Sequence, residues 1–138
     1  MDLGIGDVFN ARVAGNILNE DIAGSIEFAC KLAGAKVILV IGHTACGAIK
    51  GAIDGAQLGN LTGLLTKIRP AVEATTYSGA RTSKDPKFVD AVARTNVELT
   101  MKKLLETSPT IAEMAASRKV RIAGAMYDLA TAKLDIFS

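Results

Sequence analysis

Apolar residues run unbroken over positions 37–41, Val-Ile-Leu-Val-Ile, which is the pattern of a strand covered on both faces. Upstream, 8–13 reads as a short strand that leaves through the turn Ala14-Gly15-Asn16. Between the two, Ile22, Ile26, Ala29, Cys30 and Ala33 recur at helical spacing, with Asn19 or Asp21 as N-cap and Gly34 as the stop. Strand, helix, strand predicts a parallel unit with a right-handed crossover.

Further along, 47–53 predicts a short helix ended by Asp54-Gly55, and 61–74 is helical in pattern but carries Pro70, which predicts a kink or two helices meeting there. The Thr, Ser and Gly of 75–85 read as a loop. The longest helix is expected over 87–106, with Phe88, Val92, Val97, Leu104 and Leu105 towards the core. Ser108-Pro109 is an N-cap with proline at the first helical position, Thr110-x-x-Glu113 offers a second capping box, and a helix to about residue 118 follows. A strand over 120–126 and an antiparallel edge strand at Leu134-Asp135-Ile136-Phe137 close the chain. The fold class is α/β, a mainly parallel sheet with crossover helices.

Length and composition fit that pattern. At 138 residues the chain is expected to form a single domain over 1–138, a size that buries roughly 68% of the unfolded surface. Aromatic content of 4% with no Trp points to a core of Ala, Val, Ile and Leu. The net charge of +2 is dispersed rather than clustered, which argues against a nucleic-acid partner. No apolar stretch approaches the ~20 residues needed to span a bilayer, and the N-terminus has no basic segment leading into an apolar one, so no membrane partner and a cytoplasmic location are expected. The cysteines at 30 and 46 read as thiols or ligands of a reducing compartment.

The chemistry concentrates in His43-Thr44-Ala45-Cys46-Gly47-Ala48, directly after the run Val37-Ile38-Leu39-Val40-Ile41-Gly42. This places the only histidine and one of two cysteines at the C-terminal end of a strand, where open α/β sheets bind ligands. Imidazole and thiolate are both zinc donors, and a helix N-terminus favours the anionic thiolate. The alternatives are a histidine bonded to nearby backbone and a small buried cysteine. Cys30 shares the apolar stripe of its helix and reads as core rather than a third ligand.

Gly42-His43-Thr44-Ala45-Cys46-Gly47-Ala48 resembles the second metal-binding motif of the β-class carbonic anhydrases. The stretch from Asp2-Leu3-Gly4-Ile5-Gly6-Asp7 to Ala14-Gly15-Asn16 is similar to that family's second strand and its turn, and Ala123-Gly124-Ala125-Met126-Tyr127-Asp128-Leu129 to its last parallel strand. The resemblance implies zinc held by His43, Cys46 and a further cysteine, and a zinc hydroxide, its water's pKa lowered to about 7, that hydrates carbon dioxide to bicarbonate. It also implies that Phe9, Val13 and Gly47 shape the carbon dioxide pocket, although Phe9 and Val13 read equally well as core. Arg12 faces an anion, a subunit interface or a surface carboxylate.

The family's first motif, Cys-x-Asp-Ser-Arg, supplies the other cysteine and an Asp–Arg pair, and it does not occur in these 138 residues. The resemblance therefore implies the C-terminal two-thirds of such an enzyme, N-terminally truncated, with a weak or incomplete zinc site and impaired or absent catalysis by this chain alone. In the family that motif lies on a central strand between 8–13 and 37–41, so either these two strands close up or a second chain fills the gap, and a homo-oligomer is expected. The alternatives are a non-catalytic, self-associating α/β protein, or a hydrolase of a carbon dioxide analogue such as carbonyl sulfide.

Overall fold

The computed structural model describes residues 3–137, so Met1, Ser138 and the Asp2 that opens the Asp-Leu-Gly stretch lie outside the described residues. Asn19 and Ser108 cap helices as expected. Helix α1, Glu20–Glu27, starts at Asn19, whose side-chain oxygen accepts the Ile22 N–H at 2.9 Å, and acidic Glu20 and Asp21 sit beside its positive end. It does not run on as an α-helix to 33. Phe28–Leu32 widen into a π turn, which leaves Ala29 and Cys30 buried and Phe28 and Leu32 in solvent, before Gly34 turns the chain at φ 83°.

Helix α2 is Gly47–Asp54 and stops at left-handed Gly55. The expected break at Pro70 yields two helices, α3 at Gly59–Thr66 and α4 at Arg69–Ala74, with the proline in the first turn of α4, where no amide donor is needed. Helix α5, Pro86–Thr107, is capped by Asp85, and α6, Pro109–Ala116, by Ser108. The Ser108 hydroxyl accepts the Ile111 N–H at 3.2 Å and donates to Glu27 at 2.5 Å, which ties α1 to the α5–α6 junction.

Three strands pair in the order β1-β2-β3: β1 is Val37–His43, β2 is Arg121–Tyr127 and β3 is Leu134–Phe137. The first two run parallel, with Val37 opposite Arg121 and His43 opposite Tyr127, and β3 returns antiparallel, Leu134 opposite Tyr127. This confirms a parallel pair reached by a helical crossover and an antiparallel C-terminal edge. Arg94 of α5 clamps that edge, 3.2 Å from Asp135 and stacked 3.8 Å over the Phe137 ring.

Helix α5 packs on the face of the sheet that carries Ile38, Val40 and Gly42 of β1 with Gly124 of β2. Phe88 and Val92 of α5 are fully buried among α2, α3 and α4, Val97 is buried against Gly42 and Gly124 of the sheet, and Leu104 joins Cys30, Ile38 and Ile111 in a second cluster. Cys30 is thus core, as its helical stripe predicts. Leu105 is not: it is one residue, about 100° of helix, away from Leu104 and is exposed.

Two further expectations about the sheet are overturned. Positions 8–13 form no strand: they carry no regular structure and, apart from half-buried Val13, are exposed, so the predicted unit of strand, helix and strand at 8–13, 21–33 and 37–41 does not form. They do not close up against β1, whose second edge is unpaired among the described residues. A strand needs a hydrogen-bonded neighbour, and side-chain preference does not supply one. Nor is β1 covered equally on both faces. Leu39 and Ile41, on the face away from α5, are only half-buried and belong to neither buried cluster.

Candidate metal centre

His43 is the last residue of β1 and Cys46 the N-cap of α2, so the two candidate donors flank a turn of two residues at the C-terminal end of the parallel pair. His43 is half-buried, and its Nδ1 lies 2.9 Å from the Thr44 carbonyl. A carbonyl only accepts, so Nδ1 carries the proton and Nε2 keeps its lone pair for a ligand. Cys46 is buried and its side chain makes no capping hydrogen bond. It belongs to the cluster of Ile17 and Ile49, against which Val13 also packs.

The turn is pinned from two sides. The Thr44 N–H donates to the Tyr127 carbonyl at 3.0 Å and its Oγ1 accepts the Leu129 N–H at 3.0 Å, fastening it to the end of β2. Just beyond, Asp128 accepts the Ala130 and Thr131 N–H groups at 2.8 and 3.1 Å. These bonds, with the Lys133 charge adding to them, hold the Asp128 carboxyl below the usual carboxylate range. From α5, Asp90 Oδ1 accepts the Ala45 N–H at 3.0 Å, and Ala45 is held at φ 55°, a left-handed conformation uncommon for alanine.

Of the other predicted site residues, Gly47 opens α2 with no atom within 4 Å of where a Cβ would stand, so packing within the chain does not demand a glycine there. Phe9 is exposed and meets Phe28 edge-on, ring centres 5.9 Å apart. Arg12 is exposed and makes no ion pair among the described residues. Thr44, Asp90, Tyr127 and Leu129 went unpredicted. Their roles depend on contacts across 45 residues or more, for which one sequence carries no local signal.

As a zinc site the donors are right in kind and short in number. An imidazole with free Nε2 and a thiol suit the ion, yet no group of three His, Cys, Asp or Glu stands together among the described residues.

A carbonic anhydrase family model matches residues 1–134. The chain belongs to the β-carbonic anhydrase family. Carbonic anhydrase 2 of Mycobacterium tuberculosis is 33% identical over 129 residues, which are 93% of this chain and 61% of that protein. A carbonic anhydrase of Mycolicibacterium smegmatis is 30% identical, over 99% of this chain and 66% of its own length. This β-carbonic anhydrase chain thus spans between three-fifths and two-thirds of these relatives. Among solved structures, the β-carbonic anhydrase CafA of Aspergillus fumigatus superposes with a TM-score of 0.87 at 28% identity, covering 99% of this chain and 66% of that one. One of two tetrameric β-carbonic anhydrases from Sordaria macrospora gives 0.81 at 28% identity, over 97% and 70%.

Proposed function

We propose that this chain takes part in the hydration of carbon dioxide to bicarbonate by contributing two ligands, His43 Nε2 and Cys46 Sγ, to a zinc ion. The observation that carries the reading is the commitment of His43 Nδ1 to the Thr44 carbonyl, which leaves the outer nitrogen of an imidazole available three residues from a free thiol, in a chain of carbonic anhydrase descent. A catalytic zinc takes three protein ligands and keeps one position open. With two ligands, the 138-residue chain alone is proposed to bind zinc weakly and to hydrate carbon dioxide near the uncatalysed rate.

Val13, which packs against the cluster holding Cys46, and Gly47, which follows Cys46, are proposed as walls of the carbon dioxide pocket, with Phe9 a third residue of the same surface. A homo-oligomer is proposed as well. It is supported by the exposed Val8, Phe9, Phe28, Leu32 and Val37, by the unpaired edge of β1, and by the tetrameric Sordaria relatives. Both cysteines are free thiols, which supports a reducing compartment, the cytoplasm.

Zinc content after metal loading, with stopped-flow hydration on the same sample, tests this reading. Zinc that is lost in His43→Ala and in Cys46→Ala but kept in Cys30→Ala supports the ligand assignment. Zinc binding that survives both of the first two substitutions overturns it. A rate well above background that chelators abolish and His43→Ala removes would show that a complete site assembles from further residues. A second reading, a non-catalytic and self-associating α/β protein, is favoured by the absence of a three-donor group among the described residues. Failure to bind zinc at all would select it.

A further inference from the structure

We propose that Asp90 is a positioning residue for the donor turn: from α5 its carboxylate fixes the Ala45 backbone and so sets where the His43 imidazole and the Cys46 thiol stand. The proposal rests on the reading of those two side chains as metal donors. Between them lie only Thr44 and Ala45, and Thr44 is already fastened to β2 by its N–H and its hydroxyl. Ala45 is the residue whose conformation chooses the direction in which the chain enters α2. It stands at φ 55°, which a side chain disfavours and which needs an outside partner to hold it. That partner is Asp90, with Oδ1 3.0 Å from the Ala45 nitrogen.

Asp90 is half-buried and stands one turn before the Arg94–Glu98 pair on α5, yet it makes no ion pair with Arg94 among the described residues, and its carboxylate turns to the Ala45 N–H instead. Its helix is also held at a fixed height over β1. A Cβ on Gly42, the residue before His43, would stand 2.8 Å from Val97 Cγ2 and 3.5 Å from the Ala93 carbonyl. The acceptor on α5 and the strand end that carries His43 are therefore packed directly against each other. An anionic acceptor strengthens the bond to a backbone N–H, and supporting groups of this kind commonly set how well metal ligands are aimed.

The test compares Asp90→Asn, Asp90→Ala and Asp90→Ala/Ala45→Gly by two readouts, exchange of the Ala45 amide and binding of cobalt(II), whose thiolate absorption reports Cys46 on the metal. Asparagine keeps a side-chain oxygen for the Ala45 N–H, so Asp90→Asn should retain both amide protection and cobalt affinity. Asp90→Ala should expose the amide and weaken cobalt binding by about 10–100-fold. Glycine adopts the left-handed conformation freely, so the double variant should recover part of that loss. Unchanged amide exchange in Asp90→Ala overturns the proposal, as does damage in Asp90→Asn equal to that in Asp90→Ala. If His43→Ala binds cobalt as the parent chain does, the donor reading falls, and amide exchange in the two single variants still decides the role of Asp90.

Discussion

Asn96 donates through its side-chain Nδ2 to the backbone carbonyl of Gly15 over 2.7 Å, inside the protein and across 81 residues of sequence. The bond anchors the 3-10 turn Ala14–Asn16, and with it the segment leading to α1, onto α5, and Thr100 adds a second tie to the Asn16 carbonyl at 3.2 Å.

Asn96→Leu keeps the branched outline of the side chain, though with a larger volume, and removes the donor, leaving the buried Gly15 carbonyl without a partner. The expected loss is about 1–3 kcal/mol, read from the shift of the urea unfolding midpoint at unchanged slope. Gly15→Ala should cost more than Asn96→Leu, because Gly15 sits at φ 68° and an added Cβ would run into Ile68. A midpoint shift of less than about 0.5 kcal/mol in Asn96→Leu would show that the bond is incidental.

Gly42→Ala should destabilise by about 1–3 kcal/mol through overpacking, since the new methyl would stand 2.8 Å from Val97 Cγ2 and 2.9 Å from Met126 Sδ. Val97→Ala makes the room that the methyl needs. The double variant should therefore be more stable than the sum of the single losses predicts, and strict additivity would refute the close approach of α5 to β1.

Burial pushes the Cys30 thiol up, and partial burial together with the hydrogen bond to Asp85 and its charge does the same for the Tyr77 phenol. In both cases the unfolded chain ionises first as pH rises, so it binds fewer protons than the native state and stability falls with pH. The loss due to Cys30 should begin near the ordinary thiol value of about 8.5 and that due to Tyr77 near about 10. Unfolding free energies at stepped alkaline pH should show the earlier part flattened in Cys30→Ala and the later part in Tyr77→Phe. In native protein at neutral pH, a thiol reagent should label Cys30 only as fast as the chain unfolds.

Light scattering on the eluting protein at low micromolar concentration should give at least a dimer. Exposed Phe9, Phe28, Leu32 and Val37 and the edge of β1 that is unpaired among the described residues make a lone chain costly to hydrate. Charged substitutions at Phe28 and Leu32 should shift the mass towards monomer without lowering helix content. A parent chain that runs as a stable monomer would disprove the association.

Local sequence determined most of the helices. Asn19, Gly34, Gly55, Pro70 and the pair Ser108-Pro109 stop or start a helix through bonds made within a few residues, and the structure places the breaks at those points. The 37–41 and 120–126 runs became paired strands, and the motif at 42–48 was enough to name the family. Only the tertiary structure decided the rest. A helix satisfies its own backbone, whereas positions 8–13 have the composition of a strand and no neighbour to pair with among the described residues, so they form none. The choice of Leu104 over Leu105 for the core came from where α6 and β1 lie. The grip of Asp90 on Ala45 joins residues that no periodicity links, because the packing of α5 on the sheet is what brings them together.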